Sequence, residues 1–309
     1  MVVLCGGVGA ARFLEGVVRV VDAQSLTAIV NVGDDAEFHG LHVSPDIDTI
    51  LYTLAGLVDP DQGWGVRGDT HLVQTELARL GRDTWFQLGD RDLATHIHRT
   101  ALLHEGVPPT EVTARLARSL GVRARILPAS DERQATMVRT DRGWLPFQEY
   151  FVHRRQQDDV REVRFDGAAT PAPGVIDAIG DARVILVAPS NPIVSIGPIL
   201  ALAGVRAALA RTQAPVVAIS PIVGGEALKG PAAAMLASLG HEVSPAGVAR
   251  LYADFLDVMV LDERDAALAP RVESAGPRAV VAPAIMRDLA AKEQLARIAI
   301  DAAGAPAVA

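Results

Sequence analysis

Short apolar runs separated by amphipathic stretches dominate the two ends of the chain. The runs are Val2 to Cys5, Leu26 to Asn31, Arg183 to Ala188, Pro215 to Ser220 and Asp257 to Leu261. They are rich in Val, Ile and Leu with little polar alternation, which marks strands buried on both faces of a parallel sheet. Helical periodicity fills the intervals: Arg12 to Val21, Asp48 to Gly56, Thr70 to Leu80, Ser195 to Ala210, Lys229 to Gly240 and Ala284 to Ala303. Strand and helix alternate, so the expected class is α/β with a mostly parallel sheet.

The middle of the chain reads differently. Pro108 to Leu120 is helical in pattern, while Ala124 to Leu127, Thr136 to Thr140 and Trp144 to Val152 read as shorter, more polar strands. Arg154 to Pro173 is charged and then rich in Pro and Gly. The expectation is a Rossmann-like three-layer domain over 1–104 and 173–309, with a smaller α+β subdomain inserted over 105–172.

Composition narrows the function. The 309 residues suffice for one large α/β domain with a small companion. Aromatic residues make up only 4%, so the core must be built from aliphatic side chains. A net charge of −8 supplies no basic field, and nucleic acid is not an expected partner. Anionic substrates would need local cations or backbone amides. The single cysteine, Cys5, sits in the first apolar run, allows no intrachain disulfide and reads as a core residue in a reducing compartment. Neither a secretory leader nor an apolar run of about 18 residues is found, so a cytoplasmic protein without a membrane partner is expected.

The candidate chemistry lies after the strands. The first strand runs into Gly6-Gly7-Val8-Gly9-Ala10-Ala11-Arg12. Glycines there let backbone approach an anion, and the following helix N-terminus offers free N–H groups. The loop lacks the Gly-Lys-Ser/Thr of a Walker A motif. Arg12 also stands where the third glycine of a dinucleotide fingerprint belongs. After the second strand come Asn31, Asp34 and Asp35, then Ser44-Pro45-Asp46-Ile47-Asp48-Thr49. Asp46 and Asp48 read either as helix caps or as Mg²⁺ ligands or a base for a substrate hydroxyl. Trp85 to Leu88 reads as another strand. Gly89-Asp90-Arg91-Asp92 follows it and opens a helix over Leu93 to Thr100, and Arg91 suits a phosphate or a small carboxylate. His96 and His98, two apart, face different sides of that helix and read as packed or solvated. Ser190-Asn191 and Ser195 follow one later strand, and Ser220 to Gly225 the next. Polar or glycine loops after most strand ends imply an extended ligand groove.

These segments, in this order, resemble the 2-phospho-L-lactate transferase and phosphoenolpyruvyl transferase family of coenzyme F420 biosynthesis. The match is carried by Gly6 to Gly9, Asn31 to Asp35, Ser44 to Thr49, Gly89 to Thr95, Phe147-Gln148-Glu149, Ala188 to Pro198 and Ser220 to Val223. The resemblance implies a guanosine diphosphate-linked three-carbon acid as donor and the deazaflavin Fo as acceptor. The ribityl hydroxyl of Fo would attack, GMP would leave, Mg²⁺ would be required, and the protein would be a homodimer. By the same resemblance Asp48 and Arg91 would be catalytic and Asp46 with Asp48 would hold the metal. Asp48, Gln87, Leu88, Gly89, Arg91 and Thr95 would meet Fo. Gly6, Gly7, Gly9, Ala10, Arg12, Ser190, Asn191, Ser195 and Gly224 would meet the donor nucleotide. The arginine-rich, lysine-poor composition points to a bacterial source and so to the phosphoenolpyruvyl donor. Two rivals are a non-catalytic nucleotide-sugar-binding protein of the gluconeogenesis-factor type and an NAD-dependent dehydrogenase. Pro45 to Thr49 and the Ser-Asn-Pro segment speak against the first, and Arg12 against the second.

Overall fold

The computed structural model describes residues 1–228 and 230–304. Lys229, at the start of one expected helix, lies outside the described residues. The central sheet holds seven strands: β1 (Val2–Cys5), β2 (Thr27–Val30), β3 (Arg125–Pro128), β4 (Ile185–Val187), β5 (Val216–Ile219), β6 (Val258–Leu261) and β7 (Arg278–Val281). Their order is β7-β6-β5-β4-β1-β2-β3, and every neighbouring pair is parallel. The chain moves outward from β1 through β2 to β3, then returns to the other side of β1. A switch point therefore lies between β1 and β4, where open α/β sheets bind ligands beyond the strand carboxyl ends.

Five helices frame the site: α1 (Gly7–Val20), α2 (Pro45–Leu54), α3 (Leu72–Arg79), α4 (Asp90–His104) and α5 (Pro109–Ser119). α1 buries Ala10, Phe13, Leu14 and Val17, one helical stripe, against the sheet. On its other flank the C-terminal helix Leu289–Ala302 passes so near that a Cβ on Gly16 would strike the Lys292 carbonyl. Lys292 Nζ also reaches Glu15 at 2.5 Å. Separate apolar clusters pack on the two faces of the sheet, which accounts for the uninterrupted apolar strands.

Four expectations change. The strand expected at 124–127 as part of the inserted unit is β3, paired in parallel with β2, and α5 is its crossover helix. The part that leaves the central sheet is a small antiparallel sheet of Ala135–Thr140, Gly143–Pro146 and Glu162–Asp166. Its third strand comes from the charged segment, and Trp144 to Val152 divides into a short strand and a π-helical turn at Glu149–His153. Trp85 to Leu88 forms no strand. Its aromatic rings pack as a cluster, with Phe86 stacked on Phe38 at 4.0 Å and Trp85 on His153 at 5.0 Å. Finally, Ser195 to Ala210 is two short helices, Gly197–Ala201 and Val205–Arg211, parted at Gly204 with φ 86°.

Candidate active site at the switch point

β1 ends at Cys5, and the chain turns at once into α1 through Gly6 and Gly7. Gly7 has φ 74°, a conformation that L side chains rarely adopt. Gly9 lies against the loop after β4: a Cβ there would sit 2.5 Å from the Pro189 carbonyl oxygen. Ser190 Oγ donates to the Gly6 carbonyl at 2.9 Å and so pins the two loops of the switch point together. Asn191 accepts from Ile193 N at 2.9 Å and shapes its own turn. Ser195 is buried, and a Cβ on Gly6 would lie 3.1 Å from its Cβ.

Carboxylates crowd the same crevice. A Cβ on Gly6 would come within 2.6 Å of Asp46 Oδ2, which accepts from Asn31 Nδ2 at 2.9 Å. Asn31 Oδ1 in turn accepts from Gly33 N at 2.8 Å. Burial, opposed by Asn31 and aided by the charge of Asp35, pushes the Asp46 carboxyl up to about 6. Burial and the charges of Asp46 and Asp35 push Asp34 up well beyond the usual carboxylate range. Asp35 is raised by burial too, although Ser44 Oγ at 2.7 Å and His42 Nε2 at 3.1 Å support its Oδ2. One oxygen each of Asp34 and Asp35 is buried without a hydrogen-bond partner, and the Thr136 hydroxyl stands beside Asp34. Thr136 comes from the small sheet, which docks here through Thr136 N to the Gly33 carbonyl at 2.7 Å. The pocket is thus short of positive charge.

Asp46 and Asp48 part company. Two residues apart at the start of α2, they face different sides of the helix. Both oxygens of Asp48 are engaged by Arg99 of α4, Oδ2 at 3.0 Å from Nη1 and Oδ1 by Nη2. The expected pair of Mg²⁺ ligands is therefore not side by side in this structure, where Arg99 occupies both oxygens of Asp48. Among the described residues, no three His, Cys, Asp or Glu side chains are grouped to hold a metal ion by themselves.

The start of α4 forms the far rim. Asp69 caps it, accepting from Arg91 N at 2.8 Å and Asp92 N at 3.0 Å. A Cβ on Gly89 would collide with this carboxylate, so only glycine fits. Asp90 caps α3 instead, accepting from Leu72 N and Val73 N at 3.0 Å each. Arg91 is exposed, and its guanidinium donates to the Arg67 carbonyl at 3.2 Å. Gln87 is exposed beside it, whereas Leu88 is buried with Val43 and Leu93. Thr95 is half-buried and hydrogen-bonds Tyr52.

Two expected donor contacts lie elsewhere. Arg12 donates to the Met286 carbonyl at 2.5 Å and ties α1 to the C-terminal segment. The Gly224 amide is taken by Asp265, at 3.0 and 3.2 Å from its two oxygens. Ala10 is buried in the α1 stripe, so of the glycine loop only backbone faces the crevice. Arg99 and Tyr52 were not singled out in the sequence. The signal was present, since Asp92, His96 and Arg99 fall at i, i+4 and i+7 on one face of α4.

Residues 1–295 match the family described as 2-phospho-L-lactate transferase CofD. The chain belongs to the CofD family. It is a transferase of coenzyme F420 biosynthesis. A CofD-family relative named 2-phospho-L-lactate transferase, from Methanothermobacter thermautotrophicus, is 40% identical over 96% of this chain and 95% of its own. Relatives named phosphoenolpyruvate transferase are 44% identical in Mycolicibacterium smegmatis, over 98% of both chains, and 45% in Streptomyces avermitilis, over 97% of both. A UPF0052-family protein of Bacillus halodurans shares the fold, with a TM-score of 0.59 and 16% identity over 91% of each chain. Among the described residues of this CofD-family protein, no helix is long and apolar enough to cross a membrane.

Proposed function

We propose that this protein moves a phosphoenolpyruvyl group from a guanosine diphosphate-linked donor onto the ribityl hydroxyl of the deazaflavin Fo, with release of GMP. The carrying observation is the switch-point crevice, where a glycine turn and a helix N-terminus lie directly against buried carboxylates. The donor's diphosphate belongs at Gly6, Gly7 and Gly9, over the N–H groups of the first turn of α1. Phosphoryl-type transfer asks chiefly for alignment and charge neutralisation, and no activated nucleophile is needed. The 2-phospholactyl donor is the second choice, because the relatives named for phosphoenolpyruvate include the higher identities.

Mg²⁺ fits this crevice if it arrives with the donor. Mg²⁺ keeps several waters and is usually held by one or two carboxylates plus substrate phosphates. Asp46 and Asp34 are the residues that would hold it, since the unpartnered Asp34 oxygen and the raised carboxyls lack a cation. When bound, it would neutralise charge on the transferring phosphate. The acceptor belongs at the rim formed by Gln87, Gly89 and Arg91. The Trp85 and Phe86 rings precede this rim and suit a planar ring system. Arg91 pairs with no carboxylate among the described residues and is free to turn toward a ligand phosphate. By the same resemblance the protein works as a cytoplasmic homodimer.

The test is incubation with Fo, Mg²⁺ and each guanosine-linked donor, read by mass spectrometry. The expected result is the Fo adduct and GMP in equal amounts, faster with the phosphoenolpyruvyl donor. GDP binding without turnover from either donor would refute the transferase reading.

A further inference from the structure

A buried ladder of charged groups joins α2 to α4. Its first rung is the ion pair of Asp48 with Arg99, only 4% and 3% exposed. Its second is Tyr52, whose hydroxyl donates to Asp92 Oδ1 at 2.6 Å. Between the rungs sits His96, 1% exposed. Arg99 Nη1 lies 3.2 Å from His96 Nδ1, and a guanidinium can only donate, so that nitrogen accepts. His96 Nε2 therefore carries the proton, and it lies 3.2 Å from Asp92 Oδ1 in a close but misaligned contact. Positions 48 and 52 of α2 thus face positions 92, 96 and 99 of α4, each set lying on one side of its helix.

The charges of the ladder are committed. Burial works against the Arg99 charge, but Asp48 outweighs it and raises the guanidinium above its ordinary value. Burial likewise opposes ionisation of Asp92, yet His96, Tyr52 and Arg99 hold it below the usual carboxylate range. Apolar packing could join two helices at least as firmly, because buried ion pairs are weak sources of stability. What the ladder adds is fixed geometry. It joins the first turn of α2, which carries Asp46 in the donor crevice, to α4, whose first turn carries Arg91 on the acceptor rim.

We propose that Arg99 is a positioning residue for the transfer: through Asp48, and backed by His96, Asp92 and Tyr52, it sets the spacing between the donor crevice and the acceptor rim. The proposal rests on the reading that donor and acceptor meet between α2 and α4. A shift of the order of 1 Å between two binding halves can cost about a hundredfold in rate without abolishing either binding step. Arg99 should therefore act on kcat and leave both affinities nearly intact.

A double-mutant cycle on turnover tests this, with Asp48→Asn, Arg99→Lys and the two combined, beside melting temperature and calorimetric affinities for Fo and GDP. Arg99→Lys keeps the charge and loses the two-pronged geometry. We expect a kcat loss of about tenfold or more, with both affinities within about threefold of wild type. The combined variant should be no slower than Asp48→Asn alone, because residues acting as one unit are non-additive. Losses that multiply would overturn the proposal, as would an affinity loss that accounts for the rate. Near-normal turnover by Asp48→Asn would overturn it as well, because Arg99 acts through that carboxylate, whereas no turnover by the wild type would remove the site reading beneath it. Should Arg99→Lys fold poorly, Tyr52→Phe removes one hydroxyl from the second rung. It should lower kcat several-fold with affinities unchanged, and unchanged kcat would overturn the proposal.

Discussion

At the scale of single residues, the site is defined by places where no side chain fits. Gly9 is the sharpest case, because its obstacle is the Pro189 carbonyl oxygen at 2.5 Å, backbone that cannot rotate away. Gly9→Ala must push α1 from the loop after β4 and strain the Ser190 to Gly6 bond that joins them. Overpacking of this kind costs about 1–3 kcal/mol. We expect a melting temperature lower by several degrees and GDP binding at least about tenfold weaker, because the phosphate-facing amides move with α1. A scanning-calorimetry trace and a GDP titration check both. An unchanged pair would show that the contact relaxes freely and that the crevice does not depend on it.

At the scale of elements, α3 and α4 cap each other. Asp69, just before α3, accepts the first amides of α4, and Asp90, in α4, accepts the first amides of α3. Loss of a capping carboxylate costs about 1 kcal/mol. Asp69→Ala should therefore lower stability modestly but loosen the turn that carries Arg91, so the acceptor KM should rise more than the donor KM. Steady-state kinetics with each substrate varied would show it, and an equal rise in both would contradict the placing of the acceptor at this rim. The same scale shows what could be read from sequence. Five of the seven sheet strands were legible as apolar runs because both sheet faces are covered. β3 is legible as a strand but its place beside β2 is not, since an apolar run does not name its partner. β7 was hidden because it is an edge strand, half-exposed and opened by Arg278. Glu162–Asp166 was masked by its charged side chains, and Trp85 to Leu88 looked like a strand because aromatic residues favour both strands and clusters. The glycine turn and the carboxylates of the crevice were legible from spacing. Of the Arg99 ladder only the α4 face was legible, because its rungs join positions 51 and 40 apart and only helix docking brings them together.

At the scale of the whole molecule, the crevice sets a conflict between stability and binding. The chain carries a net charge of −8, and Asp34, Asp35 and Asp46 add charge where water is excluded. A carboxyl raised from 3.8 to about 6 on folding binds its proton more tightly in the folded state. Its contribution to stability is therefore complete below the unfolded value and is lost as pH rises through the folded one. For Asp46 alone the shift corresponds to about 3 kcal/mol, with the window running from about pH 4 to 6. Asp34 and Asp35 act in the same direction. Carboxyls held low, such as Asp90 and Asp92, titrate below this window and do not mask it. In EDTA, then, the melting temperature should fall by several degrees between pH 5 and 7.5. Asp46→Asn should flatten that fall, because position 46 no longer ionises. Mg²⁺ added with GDP should raise the melting temperature at pH 7.5 and do little at pH 5, where protons already occupy the carboxyls that a cation would need. A fall of equal size in Asp46→Asn would move the pH dependence away from Asp46. Equal stabilisation by Mg²⁺ and GDP at both pH values would separate the cation from these carboxylates.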